Sequence, residues 1–316
     1  MSKSIDGIIP VMITPFTDDG AIDYAGLERL IDWYLAHDVD ALFAVCQSSE
    51  MQFLSLEERK ELSRFVVRQV AGRVPVISSG HISDGIDDQI AELTVAAETG
   101  VDAVVLVTNH LDPANQGTAA FRNTMDMLLA RLPRDMPLGL YECPAPFRRL
   151  LTDDELKHCV DTGRFVVLKD VSCDLPTVQR RVALASGSPM AIVNANAAIA
   201  RDAMRAGSRG FSGVFTNFHP DLYKWMRLLG DHHESLARRL NTFLVLSALS
   251  EAFGYPVLAK LYHQRLGTFR SIKSRAIEFD VRERFWALDA ILDQVAAGTE
   301  AFRAEIAGLG AAAAAA

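Results

Sequence analysis

The chain has no long basic run and no excess of positive charge. Its 32 Lys and Arg stand against 40 Asp and Glu, giving a net charge of −8 over 316 residues. That argues against nucleic acid as the main partner, because phosphate binding wants a clustered basic face. Cysteine is scarce: the four present (Cys46, Cys143, Cys159, Cys173) show no C-x-x-C spacing and are too few to staple a chain of this length. A reduced, cytoplasmic setting is expected. No apolar stretch reaches the roughly 18 residues that suggest a membrane span. The start, MSKSIDGIIPVMITPF, lacks the continuous apolar core and cleavage site of a secretory signal. Also missing is a G-x-G-x-x-G phosphate fingerprint after the first apolar run, which disfavours an open, doubly wound sheet.

What is present is alternation. Eight short apolar or β-branched runs recur along the first two thirds of the chain: Gly7–Thr14, Ala41–Cys46, Val74–Ser79, Ala103–Thr108, Pro137–Cys143, Phe165–Asp170, Met190–Ala195 and Gly210–Thr216. Amphipathic segments lie between them. Asp23 precedes one with Leu27, Leu30, Ile31, Tyr34 and Leu35 at helical spacing. Ser55 with Glu58, and Thr152 with Glu155, fit capping boxes, and Gly72, Gly100 and Gly163 mark helix stops. Near-continuous apolar strands, each followed by a helix, predict an α/β fold, a (β/α)8 TIM barrel over 1–220. From 221 to 310 the strand runs cease, which predicts a C-terminal helical region packed on the barrel. The alanine tail, 311–316, is set aside as low-complexity sequence without a function.

Polar residues at strand C-termini line the site of such a barrel. They include Thr14, the run Gln47–Ser48–Ser49–Glu50, His81, Asn109–His110, Tyr141–Glu142, Lys169–Asp170, Asn194 and Ser212. Lys169, closing RFVVLKD, is the sharpest. Burial disfavours the charged form of a lysine, and a neutral lysine is a nucleophile able to form a Schiff base. The plainer reading is a rim lysine that snorkels outward and pairs with Asp170. Tyr141, closing PLGLYEC, could shuttle protons, or could be a packed tyrosine with a satisfied hydroxyl. Glu142 follows it and points to the opposite face of the strand. The QSSE turn offers hydroxyls and N–H groups suited to a carboxylate, or is a plain polar loop. Cys46, Cys143 and Cys173 with His81 and His110 could hold a metal, but no ligand spacing recurs. No metal and no cofactor are expected.

Taken in order, ITPF followed by DDGAIDYAGL, then CQSSEMQFLSLEER, LYECP, VVLKDVSCD and GSRGFSGVFTNFHP carry a resemblance. The chain resembles the dihydrodipicolinate synthase / N-acetylneuraminate lyase family of Schiff-base aldolases over about residues 5–220, and loosely beyond. The resemblance implies a barrel enzyme, a lyase that is usually a homotetramer, acting on pyruvate or another 2-oxo acid. Lys169 would attack the ketone, Tyr141 would act as general acid/base, and Ser48, with Ser49 and their N–H groups, would hold the carboxylate.

The departures are specific. Gln47 and Ser48 stand on the family's two threonines and Ser49 on the following glycine. His110 and Leu111 stand where the dihydrodipicolinate synthases have the second tyrosine of their relay. Pro146 stands where they carry an arginine for the second substrate, with Arg148 and Arg149 just beyond. Dihydrodipicolinate synthesis is therefore not expected, nor is sialic acid lysis. His110 and Arg148 are candidates for a second-substrate role. A 2-oxo-3-deoxy acid dehydratase or hydratase–aldolase would use the same imine. The rivals are a metal-dependent aldolase and a catalytically impaired binding or regulatory homologue. A small-molecule 2-oxo acid is the expected partner, with no membrane partner, in a homo-oligomer (tetramer or dimer).

Overall fold

The computed structural model describes residues 4–314. Each of the eight apolar runs contains a parallel strand: β1 (Gly7–Ile8), β2 (Leu42–Phe43), β3 (Val76–Ser79), β4 (Ala103–Val107), β5 (Leu138–Tyr141), β6 (Phe165–Asp170), β7 (Ala191–Asn194) and β8 (Gly210–Phe211). A helix follows each strand: α1 (Tyr24–Ala36), α2 (Leu56–Val70), α3 (Ile86–Ala97), α4 (Thr118–Arg131), α5 (Asp153–Asp161), α6 (Leu175–Leu184), α7 (Ala200–Arg205) and α8 (Pro220–Leu229). The sheet runs β1-β8-β7-β6-β5-β4-β3-β2, all parallel. A parallel bridge between Val11 and Phe43, just past β1, joins the two ends. This is a TIM-barrel-like fold.

Local chemistry sets the helix ends. The Asp23 carboxylate accepts from the Gly26 N–H, and the capping boxes at Ser55/Glu58 and Thr152/Glu155 are both formed. Gly72 and Gly163 adopt positive φ at the helix ends, where a side chain would be strained. Every strand but β6 is shorter than its apolar run: the run from Gly210, for example, leaves the sheet after Phe211 and enters a 3-10 turn at Val214–Asn217.

The core divides along the strand alternation. Val104, Leu106, Leu138, Leu140 and Leu168 face outward onto helical side chains such as Phe121, Met125, Leu156 and Val178. Val105, Val107, Tyr141, Val167 and Val193 face the barrel interior with Phe43 and Ile77. Each fully buried Leu or Val contributes about 1.5–3 kcal/mol.

Helices α9 (Glu234–Ala248), α10 (Val257–Arg265), α11 (Val281–Arg284) and α12 (Leu288–Ala314) follow α8. The alanine tail continues α12 as far as Ala314; its last two residues lie outside the described residues. The C-terminal region is tied to the turn after β2 by a buried ion pair, Lys260 Nζ to Glu50 Oε1 at 2.6 Å, with neither side chain exposed. The other Glu50 oxygen accepts from the Ser274 hydroxyl and the Arg275 and Ala276 N–H groups. Among the described residues no single helix is long and apolar enough to cross a membrane.

Barrel closure relies on close backbone approach. A Cβ added at Gly210 would lie 1.8 Å from the Gly7 carbonyl oxygen, across the β1–β8 pairing. Gly210→Ala is therefore expected to destabilise the fold by about 1–3 kcal/mol or more. Urea unfolding checks this, and an unchanged midpoint would contradict the close approach.

Candidate active site

Two adjacent strands end on a matched pattern. Tyr141 of β5 is in register with Lys169 of β6, and both side chains follow inward-facing positions. The next residues, Glu142 and Asp170, turn outward, as strand alternation requires. There one guanidinium holds both. Arg181 of α6 donates to Glu142 Oε1 and Oε2, at 2.5 and 2.9 Å, and ion-pairs with Asp170. All three are essentially inaccessible to solvent. Glu142 also accepts from the Leu151 and Val171 N–H groups, which orders the loops after β5 and β6. The rim pair of Lys169 with Asp170 does not form, because Asp170 belongs to Arg181 on the far side of the sheet.

Lys169 is thus left among apolar and weakly polar groups. Its side chain is buried, and among the described residues its amine makes no hydrogen bond or ion pair. Nζ lies 4.2 Å from the centroid of the Tyr141 ring and 5.8 Å from that of Phe43. Burial pushes the amine below its ordinary value, opposed by the nearby Cys46 and Cys143 thiols and by Glu251. Burial likewise holds the Tyr141 phenol well above its usual range, so it stays protonated at neutral pH. Cys143, folded back by a hydrogen bond from its N–H to the Tyr141 carbonyl, contacts the phenol through its thiol. That thiol donates to Gln47 Oε1 at 3.5 Å.

Lys169 and Tyr141 line a cavity of about 830 Å3 at the C-terminal mouth of the barrel, with Gln47, Ser48, His110 and Ser212 also on its wall. Ser212 lies on that wall, but its hydroxyl donates to the Ile9 carbonyl, so the proton is taken. Two expectations are corrected. The Ser49 side chain does not enter the cavity: its hydroxyl accepts from the Cys46 N–H and donates to the Cys46 carbonyl, both at 2.7 Å, closing the turn on itself. Arg148 does not face the cavity either. Its guanidinium caps the loop after β6 by donating to the Val171 and Ser172 carbonyls. Arg149 is engaged by Asp112 and Glu155.

Among the described residues no group of three His, Cys, Asp or Glu is arranged to hold a metal ion. Cys159 is buried behind the barrel, and burial pushes its thiol up to about 12. Cys173 is exposed.

Several cavity groups were not foreseen. Glu251 and Tyr255 come from the turns between α9 and α10, outside the eight strand ends. The Tyr255 hydroxyl accepts from Asn217 Nδ2 at 3.1 Å, and burial raises its phenol too. Burial also raises the Glu251 carboxyl, with Lys169 opposing. The one sequence cue for these residues is the GYP turn before α10.

The sequence and fold were compared with known proteins. A model of the dihydrodipicolinate synthetase family matches residues 4–275. A 4-hydroxy-tetrahydrodipicolinate synthase of Clostridium perfringens is 29% identical over 216 residues, covering 68% of this chain and 72% of the relative. One from Polynucleobacter asymbioticus is 30% identical over 175 residues, 55% of each chain. Among solved structures, the dihydrodipicolinate synthase of Acinetobacter baumannii, complexed with pyruvate, superposes with a TM-score of 0.81 at 22% identity, covering 92% of this chain and 99% of that one. CdNal of Clostridium difficile, in complex with mannosamine, also gives 0.81, at 15% identity over 94% and 99%. At such identities the structures speak for the fold.

The Arg181 clamp yields a direct expectation. Arg181→Met leaves two buried carboxylates without their cation, a loss of about 3–5 kcal/mol for a broken buried pair. Denaturant unfolding should show it. A variant as stable as the wild type would mean the clamp does not support the strand ends.

Proposed function

The chain belongs to the dihydrodipicolinate synthetase family, and from that premise we propose that it is a Schiff-base lyase or aldolase acting on pyruvate or another 2-oxo acid. One observation carries the reading: a buried lysine without an ion-pair partner stands over the Tyr141 ring inside the barrel mouth. With its amine pushed down by burial, Lys169 reaches the neutral, nucleophilic form more readily than an exposed lysine.

In this reading the Lys169 amine adds to the ketone carbon and water leaves, giving an imine. The protonated imine draws electrons from C3, so a C3 proton or a C3–C4 bond can be released to form an enamine. Tyr141, protonated at neutral pH, donates to the departing oxygen and then, through its phenol and the Cys143 thiol, moves protons at C3. The 2-oxo acid carboxylate would rest at Ser48, which lines the cavity wall beside Gln47 and carries a hydroxyl able to donate to an anion. Gln47, on the same wall, would position Cys143.

Synthesis of 4-hydroxy-tetrahydrodipicolinate is not the reaction proposed, although curated relatives carry that name. Arg148 and Arg149, the arginines just beyond Pro146, are both engaged within the protein, so that loop offers the carboxylate of that second substrate no free cation. Dehydration of a 2-oxo-3-deoxy acid would use the same imine. A cytoplasmic homo-oligomer without a cofactor is part of the proposal.

Borohydride with pyruvate should yield a covalent adduct on Lys169, seen by mass spectrometry, and Lys169→Ala should lack it; an adduct on that variant would refute the assignment. Tyr141→Phe should still trap pyruvate while turnover drops about 10²–10⁴-fold. Unchanged turnover would remove Tyr141 from the mechanism. The neutral amine gains population as pH rises, so the trapping rate should increase with pH around a midpoint below 10.5, the ordinary lysine value. A midpoint at or above 10.5 would contradict the burial argument.

A further inference from the structure

We infer that a cavity at the N-terminal end of β8 binds a phosphate monoester through Arg205, Arg209 and Arg227. The inference stands apart from the imine reading of Lys169.

The cavity holds about 390 Å3, inside the roughly 300–1,000 Å3 range of small-molecule sites. Three elements supply its cations. Arg201 and Arg205 come from α7, Arg209 from the connection into β8, and Arg227 from the last turn of α8. Among the described residues Asp231 is the one carboxylate on the same wall. Four guanidiniums around one acid repel one another across the shared space, and they do so in a chain of net charge −8.

Partners inside the protein take up only part of that charge. Arg201 is buried and committed: it ion-pairs with Glu234 and lies 3.8 Å from Asp231. Arg205 is 51% exposed and reaches Asp231 through Nε at 3.2 Å, which leaves both terminal nitrogens free. Arg209, also exposed, pairs with Asp6 and donates to Ser4 through Nη2 alone. Arg227, half-buried, makes no hydrogen bond or ion pair among the described residues. Glu234 is shared with Arg238, so it offsets little of the excess.

The donors are well placed to wait for a ligand. Ser208, buried on the cavity wall, accepts from the Asn194 N–H at 3.2 Å and lies 3.1 Å from the Ile192 and Gly210 carbonyls. It ties the loop carrying Arg209 to β7 and β8, and a site ordered beforehand spends less on binding.

The donor set selects the anion. An arginine fork gives two parallel hydrogen bonds to an oxyanion. A carboxylate presents two oxygens in one plane, whereas a phosphate monoester presents three around a tetrahedron. Forks arriving from three elements match the second. Met204, Met226 and Leu228 make up an apolar part of the wall, which suits the carbon body of an ester better than free phosphate.

Position separates this ligand from the substrate. Arg209 immediately precedes β8, and Ser212, just past its other end, lines the Lys169 cavity. The two cavities have no wall residue in common. A barrel enzyme holds a substrate phosphate at the C-terminal face, and this cavity lies at the opposite one. Its occupant is a second molecule that Lys169 does not touch.

Calorimetric titration of the full chain with glycerol 3-phosphate and glucose 6-phosphate tests the assignment. At least one should bind with a Kd on the order of 1 mM or tighter, and glycerol and glucose should not bind. Arg227→Gln and Arg205→Gln should each weaken binding about 10-fold, the loss of a charge-assisted hydrogen bond. Arg227 has no partner to lose, so its variant should keep the wild-type melting temperature. Lys169→Ala should bind the ester as the wild type does. The inference is overturned if neither ester binds, if both arginine variants bind as tightly as the wild type, or if Lys169→Ala abolishes binding. Inorganic phosphate binding as tightly as the better ester would overturn the monoester assignment, and citrate binding more tightly would overturn the choice of phosphate.

Discussion

The site depends on one guanidinium that never enters it. Arg181 gathers Glu142 and Asp170 behind the sheet, and each of those carboxylates is one residue from a cavity-facing side chain. Strand alternation converts the clamp into geometry: fixing Glu142 and Asp170 outward fixes Tyr141 and Lys169 inward. The clamp also removes the one carboxylate adjacent in sequence that could neutralise Lys169. A buried charge cluster is weak evidence for stability, since well-packed apolar groups often do as well. Its value here is register and orientation: slipping either strand by one residue would bring a carboxylate into the barrel and send the lysine out.

A second buried pair does for the mouth what Arg181 does for the strand ends. Glu50, held at φ 64 in the turn after β2, binds Lys260 and the N–H groups at 275 and 276. Burial pushes the Lys260 amine down to about 8, with Glu50 opposing. The Ser48 turn and the C-terminal helices are thereby one unit. Glu251 and Tyr255 reach the cavity because the chain between α9 and α10 is anchored a few residues later at Lys260. The helical region therefore contributes to the site as well as covering it.

How much of this was legible follows from the range of each signal. Eight strand runs, the helix caps at Asp23, Ser55 and Thr152, and the pairing of Tyr141 with Lys169 all depend on neighbours in sequence, and could be read there. Even Glu142 was placed outward by alternation alone, but its partner Arg181 lies 39 residues on and gives no local sign. Ser49 was misplaced for a local reason: in a tight 3-10 turn its hydroxyl finds the Cys46 backbone before it finds a cavity. Arg148 was misplaced because a long side chain next to carbonyls at a strand end caps them. Glu251 and Tyr255 had no legible role, since their approach to Lys169 depends on how α9 and α10 fold back over the barrel.

Two ways exist to lower a lysine: a neighbouring cation, or removal from water. This site uses removal from water. A neighbouring cation would oppose the imine as well, since the protonated imine is itself positive. Burial against ring faces treats the two species differently. The small ammonium loses strong hydration on burial, whereas a delocalised iminium loses less and keeps the attraction of the Tyr141 and Phe43 rings, worth about 0.5–2 kcal/mol for a cation over a ring. The Cys46 and Cys143 thiols add polarisable surroundings without a fixed charge. A wall built this way is mildly hostile to the resting ammonium and tolerant of the iminium, and that difference favours chemistry at Lys169 over storage of a charge.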